Sequence, residues 1–201
     1  MPCLHKFSED LQLGYVDWKP LTLFIGTFNP EWGECDNNAQ WFYGRTQRND
    51  FWCILPTLYG QHSLTNGNRL SWIEFCRKNR IAITDIISSI EADVNNANHR
   101  EVICKFKDDA IADFEVSINN ITAILDKFPS IKQICITRQS LNDFWEECFL
   151  ETLEYIQLNQ NRQITLRLLR SPSRGARRGV IGNFCQFIAQ RWLQQGFEPN
   201  P

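Results

Sequence analysis

The sequence predicts an α/β fold: a mainly parallel sheet of four short strands, covered by helices on both faces. Three observations predict it. Short β-prone apolar runs recur along the 201 residues, and segments with helical spacing lie between them. The first run, residues 21 to 26 (LTLFIG), is apolar almost throughout rather than alternating, as in a strand buried on both faces. No internal repeat or low-complexity linker divides the chain, and its length suits one domain, residues 1 to 201. A globule of this size buries roughly 70% of its unfolded surface and needs no metal or disulfide staple.

Taken in order, the run 21 to 26 is a strand that ends on a glycine and feeds a loop. Residues 27 to 48 are rich in Asn, Gly, Trp and Pro and lack helical period, and a loop this long inside a compact domain is usually functional. A helix starts near Asn49 or Asp50 and turns Phe51, Trp52, Ile54 and Leu55 inward; another spans about 69 to 78. Residues 81 to 83 form a second strand, closing on Thr84 and Asp85. From 108 to 127, Ile111, Phe114, Ile118, Ile121 and Leu125 recur at three- and four-residue steps, the pattern of one amphipathic helix. A third strand is expected at 131 to 137, and residues 140 to 143 (SLND) resemble a capping box opening the next helix. The fourth strand is 164 to 169, and 180 to 193 closes the chain as a helix.

Composition narrows the function. A net charge of −2 excludes a whole-surface nucleic-acid binder, so any DNA contact must use a local basic patch. The seven Trp and fourteen Phe serve either a core or a site for flat ligands. The eight cysteines are scattered without a close pair, which argues against a metal or iron–sulfur site. Unpaired thiols and a polar N-terminus (MPCLHKFSED) point to a reducing cytoplasm, and no segment is long and apolar enough to span a membrane.

Ligands of such folds sit at the carboxyl ends of the strands. Three places qualify: 26 to 30, Thr84 with Asp85, and 170 to 179. In GTFNP, Gly26 permits close backbone approach, Thr27 and Phe28 follow, and Pro30 stiffens the turn that holds Asn29. The amide of Asn29 offers a donor and an acceptor; an ordinary turn would use the same residues as caps. In WFYGRTQRNDFW, Phe42 and Tyr43 can stack on a base, Arg45 and Arg48 can meet phosphate, and Asn49 is a second amide or a helix cap. In RSPSRGARRG, the residues Arg170, Ser171, Pro172, Ser173, Arg174, Arg177 and Arg178 make a phosphate grip before a helix, or a solvated basic loop. His5, His62 and His99 lie outside these segments and receive no role.

Together these segments resemble the uracil-DNA glycosylase superfamily, and most nearly its hypoxanthine and mismatch-specific branches. GTFNP looks like the first active-site motif, FYGRTQRNDFW like the aromatic, glycine and asparagine segment before Phe-Trp, and RSPSRGARRG like the last, Ser-Pro-Ser motif. The likeness covers about residues 20 to 60 and 160 to 193. It implies a three-layer α/β/α sandwich and a monomeric, metal-independent, cofactor-free enzyme. Such an enzyme flips a deaminated base, of uracil or hypoxanthine type, out of DNA and hydrolyses its N-glycosidic bond. Asn29 or Asn49 would orient the water, with Asp85 assisting or capping a turn. Gly26, Thr27, Phe28, Phe42 and Tyr43 would contact the base, and Arg174 is a candidate wedge. The first motif has no carboxylate, and Arg170 replaces a histidine in the last. These departures keep open an inactive DNA-binding module of the same fold, and the basic loop would also suit an enzyme acting on small nucleotides.

Overall fold

The computed structural model describes residues 2–45 and 48–201, and of Asp108 and Asp109 the backbone alone. Thr46 and Gln47, inside the loop expected at 27 to 48, lie outside the described residues.

The strands are β1 (Cys3–Leu4), β2 (Thr22–Gly26), β3 (Ile81–Asp85), β4 (Ile87–Ile90), β5 (Val116–Ile118), β6 (Gln133–Ile136) and β7 (Thr165–Leu168). The helices are α1 (Phe51–Leu58), α2 (Arg69–Lys78), α3 (Ala97–Cys104), α4 (Ile121–Lys127), α5 (Asp143–Leu158) and α6 (Phe184–Gln194). Four strands form the central sheet in the order β3-β2-β6-β7, and every pair is parallel. The expected fold class holds.

Strand periodicity divides the core into two layers. Leu23 and Ile25 of β2 face α4 and α5, packing with Ile124, Leu125, Trp145 and Phe149. Phe24 faces the other way, toward α1, α2 and α6, with Phe51, Trp72, Ile188 and Trp192. The aromatic excess is therefore largely core. Trp41, Trp52, Trp72, Trp145 and Trp192 are all fully buried, and Trp52 stacks on Trp72 with ring centroids 5.1 Å apart. Each such ring buries roughly 150–250 Å², an upper contribution of about 4–6 kcal/mol at ~25 cal/mol/Å².

The stretch 108 to 127 departs from the single helix expected of it. It is a 3-10 turn (Asp108–Asp113), then β5, then α4. Two asparagines decide this. Asn119 is buried and donates to Leu11 O, Thr84 Oγ1 and Asp85 O, while the Asn120 side chain caps α4 through Ala123 N. A continuous helix would leave the buried amide without those acceptors. Freed from helix, Val116 and Ile118 pair with β4, which also pairs with β1, making an antiparallel sheet that periodicity did not reveal.

Helix starts also shift. Asn142, not Ser140, caps α5, accepting from Trp145 N. The last helix begins at Phe184 under Asn183, because Gly182 at φ +93° cannot continue a right-handed helix. Nor are all the cysteines unpaired. Cys35 is bonded to Cys104 and Cys53 to Cys185, across 69 and 132 residues, separations that no local spacing discloses. Cys3, Cys76, Cys135 and Cys148 stay free; burial pushes Cys3 and Cys148 up to about 11 and the other two well above the ordinary value, so all four are inert thiols. Among the described residues, no helix is long and apolar enough to cross a membrane.

Candidate active site

The loops that follow β2, β3, β6 and β7 converge at the carboxyl edge of the central sheet around a cavity of about 370 Å³. That volume falls in the ~300–1,000 Å³ range of small-molecule sites. All three segments singled out in the sequence reach it. Thr27, Phe28, Asn29, Tyr43, Arg45, Arg48, Asn49, Asp85, Ser171, Pro172, Ser173 and Arg174 line it.

The floor is built around Asp85. Parallel pairing sets Gly26 beside Asp85 at the ends of β2 and β3. The Asp85 side chain is 3% exposed, and its Oδ2 accepts from Asn29 Nδ2 at 2.7 Å. His5 Nε2 lies 2.9 Å from the same oxygen. The other ring nitrogen, Nδ1, accepts from Phe7 N at 3.0 Å, so the ring is neutral with its proton on Nε2. The contact is thus a hydrogen bond from a neutral donor to a carboxylate. Because Asn29 must turn its NH₂ to Asp85, its carbonyl oxygen is the group left to accept from a ligand or a water.

A Cβ on Gly26 would lie 2.2 Å from Asp85 Oδ1 and 3.0 Å from the Tyr43 hydroxyl. The glycine expected to admit a ligand thus admits the carboxylate. Tyr43 holds a left-handed φ of +56°, stacks on Phe51 at 3.9 Å and 6°, and bonds Thr137 Oγ1 at 3.1 Å. Phe42, expected as a stacking face, is fully buried against His5 and Phe7 and has no face to offer a ligand. Asn49 has its carbonyl engaged by Phe51 N at 2.8 Å, the capping alternative.

The basic loop is strapped across the opposite wall. Asp50 N donates to Pro172 O at 2.9 Å, Arg174 N donates to Arg48 O at 3.0 Å, and Asn49 and Ser173 form a β-bridge. The buried Asp50 carboxylate takes two bonds from Arg177, at 2.7 and 3.1 Å, with Arg174 Nε at 3.4 Å. Arg177 is therefore committed to the protein rather than turned to a ligand, and the proposed wedge Arg174 is tethered at its root. Arg170 donates to Ala176 O and lines, with Arg178 and Arg138, an adjoining cleft that shares Thr137, Ser171 and Gly175 with the main cavity. Asp50→Asn is expected to cost about 1–2 kcal/mol, less than a fully buried charged bond because both arginines are partly solvated. Urea unfolding and amide exchange at Arg174 N check this; unchanged values in both would show that the latch contributes nothing.

Arg45 lies over the Phe106 ring, 3.4 Å from its centroid. Burial, with the neighbouring Arg48 charge, lowers its pKa to about 10, so it remains a cation at neutral pH. Four groups here escaped the sequence reading. Thr137 follows β6, so the strand-end rule would have found it. Lys105 and Phe106 arrive at the cavity just past α3, a helix the reading did not find. His5, 80 residues from Asp85, left no local signal.

Neither protein-family models nor curated proteins give a match to this chain. Among solved structures, the chain is similar to the solution NMR structure of a protein from Methanosarcina acetivorans described as a candidate uracil DNA glycosylase. The two are 17% identical, with a TM-score of 0.54, over 90% of this chain and 94% of the other. The chain thus shares that protein's α/β/α fold, with a four-stranded parallel sheet whose carboxyl edge carries the cavity described above.

Proposed function

We propose that this chain is a DNA glycosylase of the uracil-DNA glycosylase superfamily. In this reading an extruded deaminated base, of uracil or hypoxanthine type, occupies the cavity and its N-glycosidic bond is hydrolysed. The observation that carries the reading is the composition of the cavity. Asp85 is the one carboxylate among its described lining residues, held with Asn29 at the floor, while Arg45, Arg48, Lys105 and Arg174 surround it.

Breaking the C1′–N bond leaves the electron pair on the base and positive charge on the sugar. Asp85 offers the compensating charge to the sugar, and Asn29, through its carbonyl, orients the water. As the water oxygen bonds C1′, one of its protons passes to Asp85 and from there, through solvent, to the departed base anion, which restores the carboxylate; the products are neutral free base and an abasic site. Carbonyl-bearing bases delocalise the departing charge onto oxygen, where the cationic and hydroxyl groups of the walls can donate. These charges make a metal unnecessary to the proposed reaction. Asn29 is preferred to Asn49 because the Asn49 side-chain carbonyl is already engaged by Phe51 N at the start of α1. Ser171 and Ser173 are proposed to grip phosphates beside the flipped nucleotide, with the arginines at the mouth supplying the local positive patch that a net charge of −2 requires. The protein is proposed to act as a monomer.

Excess protein with labelled duplexes carrying uracil, hypoxanthine or xanthine, followed by alkaline cleavage of abasic sites, tests the reading. Release of base from one of these duplexes is expected, with binding that weakens steeply with salt and is not displaced by the free mononucleotide. Tight duplex binding without release from any of them would leave a DNA-binding module; equal competition by the mononucleotide would favour a small-nucleotide enzyme.

A further inference from the structure

We infer that His5 is a positioning residue for the reaction proposed above, on which this inference rests: it holds Asp85 with Oδ2 engaged and Oδ1 left for the reacting water. Both donors to the carboxylate, His5 Nε2 and Asn29 Nδ2, fall on Oδ2. The carboxylate is thereby fixed in one orientation, with Oδ1 lying against Gly26.

His5 is itself built into place. It is 1% exposed, and its ring is bounded by Phe7, Phe28 and Phe42 at centroid distances of 5.8, 5.6 and 5.8 Å. Its backbone N donates to Ser88 O at 3.0 Å, and Lys6 N donates to Asn29 O at 2.8 Å. Glu31 N donates to Leu4 O at 3.0 Å, so the N-terminal strand is joined both to β4 and to the segment bearing Asn29. The Phe7 N–H on Nδ1 sets the tautomer. That choice matters electrostatically. An imidazolium would offset the charge of Asp85, whereas a neutral N–H orients it and leaves the charge for the sugar cation. An amide could do the same work and an apolar ring could not, which makes the assignment testable.

The test compares His5→Gln, which keeps an N–H donor, with His5→Phe, which fills the space without one, alongside Asp85→Asn. Single-turnover base release is measured together with affinity for duplexes carrying a cationic azasugar or a neutral tetrahydrofuran abasic analogue. His5→Phe is expected to slow release about 10–100-fold, the usual cost of losing an orienting partner, with binding of the neutral duplex unchanged. The preference for the cationic duplex should fall with it, as in Asp85→Asn, and His5→Gln should restore both. A merely structural role would move neutral-duplex affinity and the urea midpoint and would not be rescued selectively by glutamine. Should His5→Phe fail to fold, His5→Met takes its place in the same comparison. Wild-type behaviour of the donorless variant, or no rescue by glutamine, overturns the inference. If the wild-type protein releases no base yet its cationic preference still depends on His5, the hydrolase reading fails and the positioning role stands. Absence of any cationic preference in the wild-type protein overturns the positioning role, whatever the rate of release.

Discussion

Asp85→Asn is expected to slow base release by about 10²–10³-fold while leaving the fold and duplex binding in place. The substitution is nearly isosteric, and the new amide oxygen can still accept from His5 Nε2 and Asn29 Nδ2, the two donors that fall on Oδ2. What disappears is the negative charge, in a site where the side chain is 3% exposed and water screens little. Losing one preorganised electrostatic partner of a charged transition state costs about 10²–10³-fold in rate, and that is the expected fall in single-turnover release. Asp85→Ala should add a stability loss, because each stranded donor costs about 1–3 kcal/mol when buried. Comparing the two variants separates charge from packing. Release within a few-fold of wild type in Asp85→Asn would remove Asp85 from the chemistry and leave Asn29 as the group that orients the water.

Gly26→Ala is expected to have the second-largest effect, through the same carboxylate. The added methyl would lie 2.2 Å from Asp85 Oδ1, far inside contact distance, and 3.0 Å from the Tyr43 hydroxyl. Neither neighbour can yield cheaply: Asp85 is held by two donors, and Tyr43 is stacked on Phe51 and bonded to Thr137. Overpacking of this kind typically costs about 1–3 kcal/mol, so the variant should fold with a lowered midpoint. Displacing Oδ1 from its place should reduce release on the scale of Asp85→Asn, with neutral abasic duplex still bound. A fully active Gly26→Ala would mean that Oδ1 does not face the reacting atoms.

Much of the fold was legible because it rests on local patterns. The run 21 to 26 reads as a strand buried on both faces, and β2 is such a strand inside the sheet, with Leu23, Phe24 and Ile25 fully buried. The rule that ligands gather at strand carboxyl ends points to Asn29, Asp85 and Ser171 to Arg174, and the fold brings these residues to one cavity. Where periodicity failed, a long-range polar contact had overruled it. At 108 to 127 the three- and four-residue spacing of isoleucines is real, yet Asn119 is drawn into the core by Leu11, Thr84 and Asp85. His5 reaches Asp85 through a long-range polar contact of the same kind, and a lone histidine carries no periodic or motif signal.

The alternation of strand and helix, the strand-end loops and the residue types available at them follow from local sequence, because hydrophobic period and turn chemistry act over a few residues. Tertiary structure alone decided how those groups are used. It placed His5 on Asp85 across 80 residues, gave Gly26 to the carboxylate rather than to a ligand, buried Phe42, and bound Arg177 to Asp50. Each of these depends on which buried polar group finds which partner, and a buried donor or acceptor takes its partner from space, not from its neighbours along the chain.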